Sequence, residues 1–158
     1  MRRVDIRGDD PNFLVGVLPH ETTHVVLAGR FGQHHVPRWA DEGMAVLSEP
    51  RDRVELHLRN LPTHRRDGTL FGVAELMKMA DYPEPRRVGA FYAQSVSLVD
   101  FLTKKKDAAT FSRFLREALD GRYDAALERH YGYRSFADLE LEWHGHAFGE
   151  GAIATATR

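Results

Sequence analysis

Cysteine is absent from this chain of 158 residues, which rules out disulfide bonds, thiolate metal sites and cysteine nucleophiles. Any metal must therefore be held by histidine and carboxylate side chains. A surplus of one charge sign is also lacking: 22 Lys and Arg stand against 23 Asp and Glu, for a formal net charge of -1. That balance removes the electrostatic case for a nucleic-acid or anionic-membrane partner. The basic runs Arg65-Arg66, Arg86-Arg87 and Lys104-Lys105-Lys106 are short, lack interleaved aromatics and read as solvated surface. No apolar run is long enough to span a membrane, and Met1-Arg2-Arg3 leads into Val4-Asp5-Ile6-Arg7 and Gly8-Asp9-Asp10-Pro11 rather than into the core of a signal peptide. The expected address is the cytoplasm by default, or a secreted or periplasmic one if the sequence is a piece of a longer precursor. Internal repeats and low-complexity tracts are missing too.

Against these absences stands one dense motif, His20-Glu21-Thr22-Thr23-His24. Positions four apart share a helix face, so His20 and His24 can point two imidazoles at one cation. Glu21 leaves the same turn at a neighbouring angle and can hold a carboxylate beside the metal, where it can take a proton from water. Three donors are needed for a catalytic zinc site. The best third candidate is Glu42, eighteen positions past His24 within Trp39-Ala40-Asp41-Glu42-Gly43, because it opens a second helical pattern after a loop long enough to reverse the chain. Leu14, Val15, Val17 and Leu18 run into the motif and Val25, Val26 and Leu27 follow it, which reads as a buried helix. A competing reading makes His20 and His24 core histidines bonded to neighbouring carboxylates, and leaves Glu42 as coincidence.

The remaining pattern is mainly α-helical and fits one domain over 1–150, with a frayed tail over 151–158. Val4 and Ile6 alternate with polar neighbours, enough for one short N-terminal strand. Asp10-Pro11 suits a helix start, and Pro19 predicts a kink or restart just before His20. Gly32 marks the end of that helix, and Pro37 opens the next, which carries Trp39, Glu42, Ala45, Val46 and Glu49. Residues 50–61 fit a helix or a strand, with a lean to helix; 63–69 read as a loop near the site. Further helices follow on Val73-Leu76-Met77, on Val88 to Leu102, on Phe111 to Leu119, on Tyr123 to Leu127, and on Phe136 to Phe148. The last has Ser135 as its cap, with Asp138 completing a capping box.

Tyr92, in the long helix, is either a core aromatic with a satisfied hydroxyl or a donor to the oxyanion that develops on a polarised carbonyl. Asp41 and Glu49 are expected near the site, and Glu49, two helical turns beyond Glu42, can bond a ligating histidine or bind a substrate amine. His34 and His35 sit in a solvent-prone loop, His144 and His146 face different ways, and His130 belongs to a helix end.

Together, His20-Glu21-Thr22-Thr23-His24, Trp39-Ala40-Asp41-Glu42-Gly43-Met44-Ala45 with Glu49, Phe91-Tyr92-Ala93-Gln94-Ser95 through Val99-Asp100-Phe101-Leu102, and Tyr131-Gly132-Tyr133 through Leu139 to Trp143 resemble the gluzincin metallopeptidases. The likeness is to the bacterial peptidase MA-like proteins, related to the catalytic domains of thermolysin and the M1 aminopeptidases. It implies a zincin-like helical fold, one zinc ion held by His20, His24 and Glu42, Glu21 as general base and proton shuttle, Tyr92 as oxyanion donor, and a peptide or small protein as substrate. Several features depart from the family: Asp41 stands where the aminopeptidases carry Asn, their Gly-x-Met-Glu-Asn stretch is absent, Pro19 directly precedes the first histidine, and the β-sheet that larger members place before the metal helix has at most one strand here, at residues 2–7. Hydrolysis of another amide, a zinc-stabilised helical peptide-binding domain with little or no activity, and a helical scaffold without metal are the competing readings.

Overall fold

Proline and glycine punctuate the chain where its helices start and stop. The computed structural model describes residues 13–32, 34–119 and 121–149. A π-helical turn, Phe13–Val17, leads into α1 (Leu18–Phe31), where Pro19 occupies the first turn and loses no intrahelical hydrogen bond by lacking an N–H. Helix α1 ends at Gly32, whose φ of 62° suits glycine. Helices α2 (Arg38–Leu47) and α3 (Arg51–Arg66) each follow a proline, Pro37 and Pro50. Next come α4 (Val73–Lys78), a 3-10 turn (Pro85–Arg87) and α5 (Val88–Lys105). Then follow α6 (Ala108–Ala118), α7 (Tyr123–Tyr131) and α8 (Phe136–Phe148). No strand occurs among the described residues. The strand expected at Val4 and Ile6, the helix start expected at Asp10-Pro11 and the frayed tail over 151–158 lie outside them.

Four expectations need correction. The loop expected over 63–69 is mostly helix, because α3 continues through Pro62 to Arg66; buried Leu61 and half-buried His64 lie along the side of α3 that packs on α5. Helix α1 is not buried all round. Leu27 and Phe31 enter the core, but Leu14, Val15, Val25 and Val26 are 71%, 60%, 45% and 59% exposed, since α1 packs chiefly against α2. Arg87 is no solvated cation: its guanidinium bonds the carbonyls of Thr69 and Leu70 and lies 3.6 Å over the Phe71 ring. Finally, Ser135 caps α8 by accepting from Asp138 N–H, while the Asp138 carboxylate accepts from Arg134 N–H, one residue earlier than a capping box requires.

Helix α5 is the central element. Its buried residues run almost all round, from Ala90 and Phe91 through Gln94, Leu98 and Val99 to Leu102, as a helix covered on several sides must. Two of its buried polar side chains tie neighbouring elements to it, while Ser95 Oγ is buried without a hydrogen-bond partner among the described residues. Gln94 bonds both the N–H and the carbonyl of Phe71, at 2.9 and 2.6 Å, which ties the approach to α4 onto α5. Ser97 accepts from the Trp143 indole of α8 at 3.1 Å. Tyr123 of α7 donates to Met77 O of α4 and accepts from the Trp39 indole of α2.

Helix α2 packs along α5 at backbone contact distance, and Gly43 is what permits it. A methyl group there would meet Ser95 O at 2.6 Å and Val99 Cγ2 at 2.7 Å. Gly43→Ala is therefore expected to destabilise the fold by about 1–3 kcal/mol through overpacking. Gly29→Ala, at an α1 position with open space around it, is expected to stabilise by roughly 0.5–1 kcal/mol through helix propensity. Chemical denaturation of the two variants checks the opposite signs, and a neutral Gly43→Ala contradicts the close α2–α5 contact.

Candidate metal centre

One helical turn separates His20 from His24 on α1, and their rings sit 4.9 Å apart, edge to face. Both are half-buried. Each ring has its Nδ1 committed to a carboxylate from the next part of the chain. His20 Nδ1 lies 2.7 Å from Glu49 Oε1, and His24 Nδ1 lies 2.9 Å from Asp41 Oδ1. A carboxylate accepts and does not donate, so the ring proton belongs on Nδ1, and Nε2 is left as the free electron pair. Helix α2 supplies Asp41 and Glu42 on successive residues, and Glu49 stands in the turn after α2 rather than on it. That turn swings Glu49 back to His20.

Both free nitrogens face the same oxygen. Glu42 Oε2 is 3.5 Å from His20 Nε2 and 3.8 Å from His24 Nε2, long for hydrogen bonds but right for donors around a common ion. Zinc–nitrogen bonds of about 2.0–2.1 Å in a tetrahedron set neighbouring donors roughly 3.3 Å apart. Glu42 is 5% exposed, and Oε2 has no hydrogen-bond partner. A buried carboxylate oxygen without a donor costs at least about 1–3 kcal/mol; a cation between the three atoms removes that cost. His20, His24 and Glu42 thus form a group that can hold a metal ion, and no other group of three or more His, Asp or Glu among the described residues does so. The donor set, two imidazoles and a carboxylate, suits zinc.

The electrostatics agree with that arrangement. Glu42 facing it, opposed by burial and helped by Glu49, raises the pKa of His20. Asp41, again opposed by burial, raises that of His24. Burial pushes the Glu42 carboxyl up, but His20, a hydrogen bond from Tyr82 and the charge of His24 outweigh it, and the net shift is down.

Tyr92 projects from α5 and is half-buried. Burial and then the Glu42 charge, with Glu21 and Glu49 adding, keep its phenol protonated. Its hydroxyl therefore lies within the field of the three glutamates. Glu21 is half-buried in the first turn of α1 and forms no hydrogen bond or ion pair with another described residue. A recess of about 490 Å³ lined by Arg38, Asp41, Met79 and Ala80 opens on the Asp41 side. The histidines set aside from the sequence stay apart: His34 and His35 are exposed, His130 pairs with Glu117 at 3.0 Å, and His146 lies against Phe101.

Two residues of the centre had escaped the sequence reading. Tyr82, from the break between α4 and α5, donates its hydroxyl to Glu42 Oε1 in a short hydrogen bond. His57 of α3 places its ring 6.2 Å from that of Tyr92, and burial lowers its pKa. The only signal for Tyr82 was an aromatic between two breakers, Asp81-Tyr82-Pro83; for His57 it was the helical spacing to His64.

With folded-state pKa values raised above 6.5, the histidine–carboxylate pairs stabilise the fold fully below that pH, and the contribution is lost as pH rises through the raised values. The Glu42 contribution runs the other way and is lost below 4.5, as pH falls through its depressed value. In chelator, the melting temperature is expected to fall as pH rises from 6.5 through the raised histidine values, and to fall less in Asp41→Asn. Added zinc is expected to stabilise more at the higher pH, because it competes with protons for both imidazoles. Thermal melts across this range test it, and pH-independent zinc stabilisation contradicts the assignment of the two imidazoles.

Compared with known protein families, with curated proteins and with solved structures, the chain gives no match. The geometry of these side chains is the ground on which a function has to rest.

Proposed function

We propose that the protein is a zinc-dependent hydrolase of peptide bonds. The observation that supports the metal is the buried, partnerless Oε2 of Glu42 facing two Nε2 atoms whose rings are fixed from behind by Glu49 and Asp41, and hydrolysis rests on the motif that places Glu21 between the two histidines. Such outer carboxylates orient ligating imidazoles and raise their basicity. A bound zinc ion would supply Lewis acidity, polarising a carbonyl and making water more acidic.

The protein's own side chains supply the rest of the reaction. Glu21 leaves α1 between the two histidines with its carboxylate uncommitted, and it takes the proton of the attacking water and passes it to the leaving amine. Tyr92 stays protonated beside the carboxylates and donates a hydrogen bond to the oxygen on which charge develops. Peptide is the substrate class that the resemblance to the gluzincin metallopeptidases suggests, and the motif residues that carry the resemblance are those of the centre.

A second reading has its own support. Glu21 has no hydrogen-bond or ion-pair partner among the described residues, and a cation cage alone also suits a zinc-stabilised helical domain that binds peptide without cleaving it. The two separate in one experiment. Peptide-library digestion by the zinc-loaded protein is expected to give chelator-sensitive products. Glu21→Gln is expected to keep its zinc and lose cleavage by about 100-fold to 10,000-fold, and Tyr92→Phe to lose roughly 100-fold or more. Undiminished cleavage by Glu21→Gln overturns the hydrolytic role, and peptide binding without any turnover by the wild type establishes the second reading.

A further inference from the structure

Tyr82 is held more firmly than a half-exposed loop residue needs to be. Its ring packs against the Arg38 guanidinium, 4.5 Å from the ring centroid, and meets the Phe91 ring edge to face with centroids 5.8 Å apart. Arg38 also donates to Ala80 O at 2.7 Å, which ties the loop to the first turn of α2. Arg38 and Glu42 are four apart on that helix and share a face. The clamp on the ring and the carboxylate it serves are thus carried by one rigid element. Burial and the Glu42 carboxylate together raise the phenol's pKa, so it remains a donor.

This contact divides the two oxygens of Glu42. Oε1 accepts from Tyr82, and Oε2 faces the imidazoles with no donor of its own. Turning the carboxylate to offer both oxygens to an ion would break the Tyr82 bond. We propose that Tyr82 is a positioning residue that restricts Glu42 to a one-oxygen ligand, so that two imidazoles and a single carboxylate oxygen leave one side of the ion open. The inference rests on the metal-centre reading above and assigns a role to a residue that the hydrolytic steps do not use. The open side is the requirement for catalysis, since a closed four-ligand cage is a structural site.

Cobalt(II) substituted into the full chain reports coordination number through its visible d–d absorption, without any need for turnover. Wild type is expected to bind one cobalt with the intense bands of a four-coordinate ion. Tyr82→Phe, which keeps the ring and its contacts with Arg38 and Phe91, is expected to lose intensity and shift to shorter wavelength as the second oxygen joins. Arg38→Gln, which loosens the clamp but spares the hydroxyl, is expected to shift the same way to a smaller extent, and circular dichroism verifies that each variant is folded. Identical spectra for wild type and Tyr82→Phe overturn the role of Tyr82 and leave the metal centre standing. Weak, high-coordinate bands in the wild type overturn the one-oxygen mode. No cobalt uptake by the wild type removes the metal centre itself.

Discussion

Glu42 brings a charged group into the interior, and the cost of that burial organises the surrounding structure. One carboxylate oxygen is satisfied by the Tyr82 phenol, while the other confronts two imidazole nitrogens that carry no proton when their Nδ1 atoms donate to Glu49 and Asp41. Above the raised histidine pKa values, three lone-pair donors converge in a buried space and repel one another. A divalent cation turns that repulsion into attraction, and this is why the cluster reads as a metal cage rather than as a set of core hydrogen bonds. The Nδ1 bonds to Glu49 and Asp41, at 2.7 and 2.9 Å, are ones that core histidines would also make, and what sets this cluster apart is the pair of Nε2 atoms 3.5 and 3.8 Å from one unpartnered oxygen of Glu42.

The fold keeps Glu42 in place through backbone contact. Gly43, the next residue, lets α2 lie directly on Ser95 and Val99 of α5, so the depth of Glu42 is set by this close helix contact. Trp39, fully buried one turn before Gly43, locks the same helix through the Tyr123 hydroxyl and the Phe111 ring. On the other side of the centre, α1 is held less completely, since much of its outer face is exposed. The two histidines therefore depend on Asp41 and Glu49 for their orientation as much as on their own helix.

The helical architecture and the three donors were legible in the sequence because both rest on local spacing. His20 and His24 share a face by their separation alone, Pro19 and Pro37 start helices where a missing N–H is harmless, and Glu49 was legible as one possible partner of a ligating histidine, whereas the Asp41 bond to His24 emerges only from the fold. Tyr82 was not legible, because its position depends on how a break between α4 and α5 folds over α2, a long-range event without periodicity. The run of α3 past Leu61 was lost for a related reason: a polar stretch with Gly68 reads locally as a loop, but packing of Leu61 and His64 beside α5 keeps the helix going to Arg66. The apolar flanks of the metal motif were overread. Valine and leucine there predicted burial on every side, and only the side toward α2 is covered.

Convergence of His20, His24 and Glu42 on one ion is tested most directly by zinc-edge X-ray absorption on the loaded protein. The expected spectrum has two imidazole ligands with their outer-ring scattering and light oxygen donors, all at about 2.0–2.1 Å. A shell of oxygens alone, without imidazole scattering, would mean that zinc sits elsewhere and would contradict the centre.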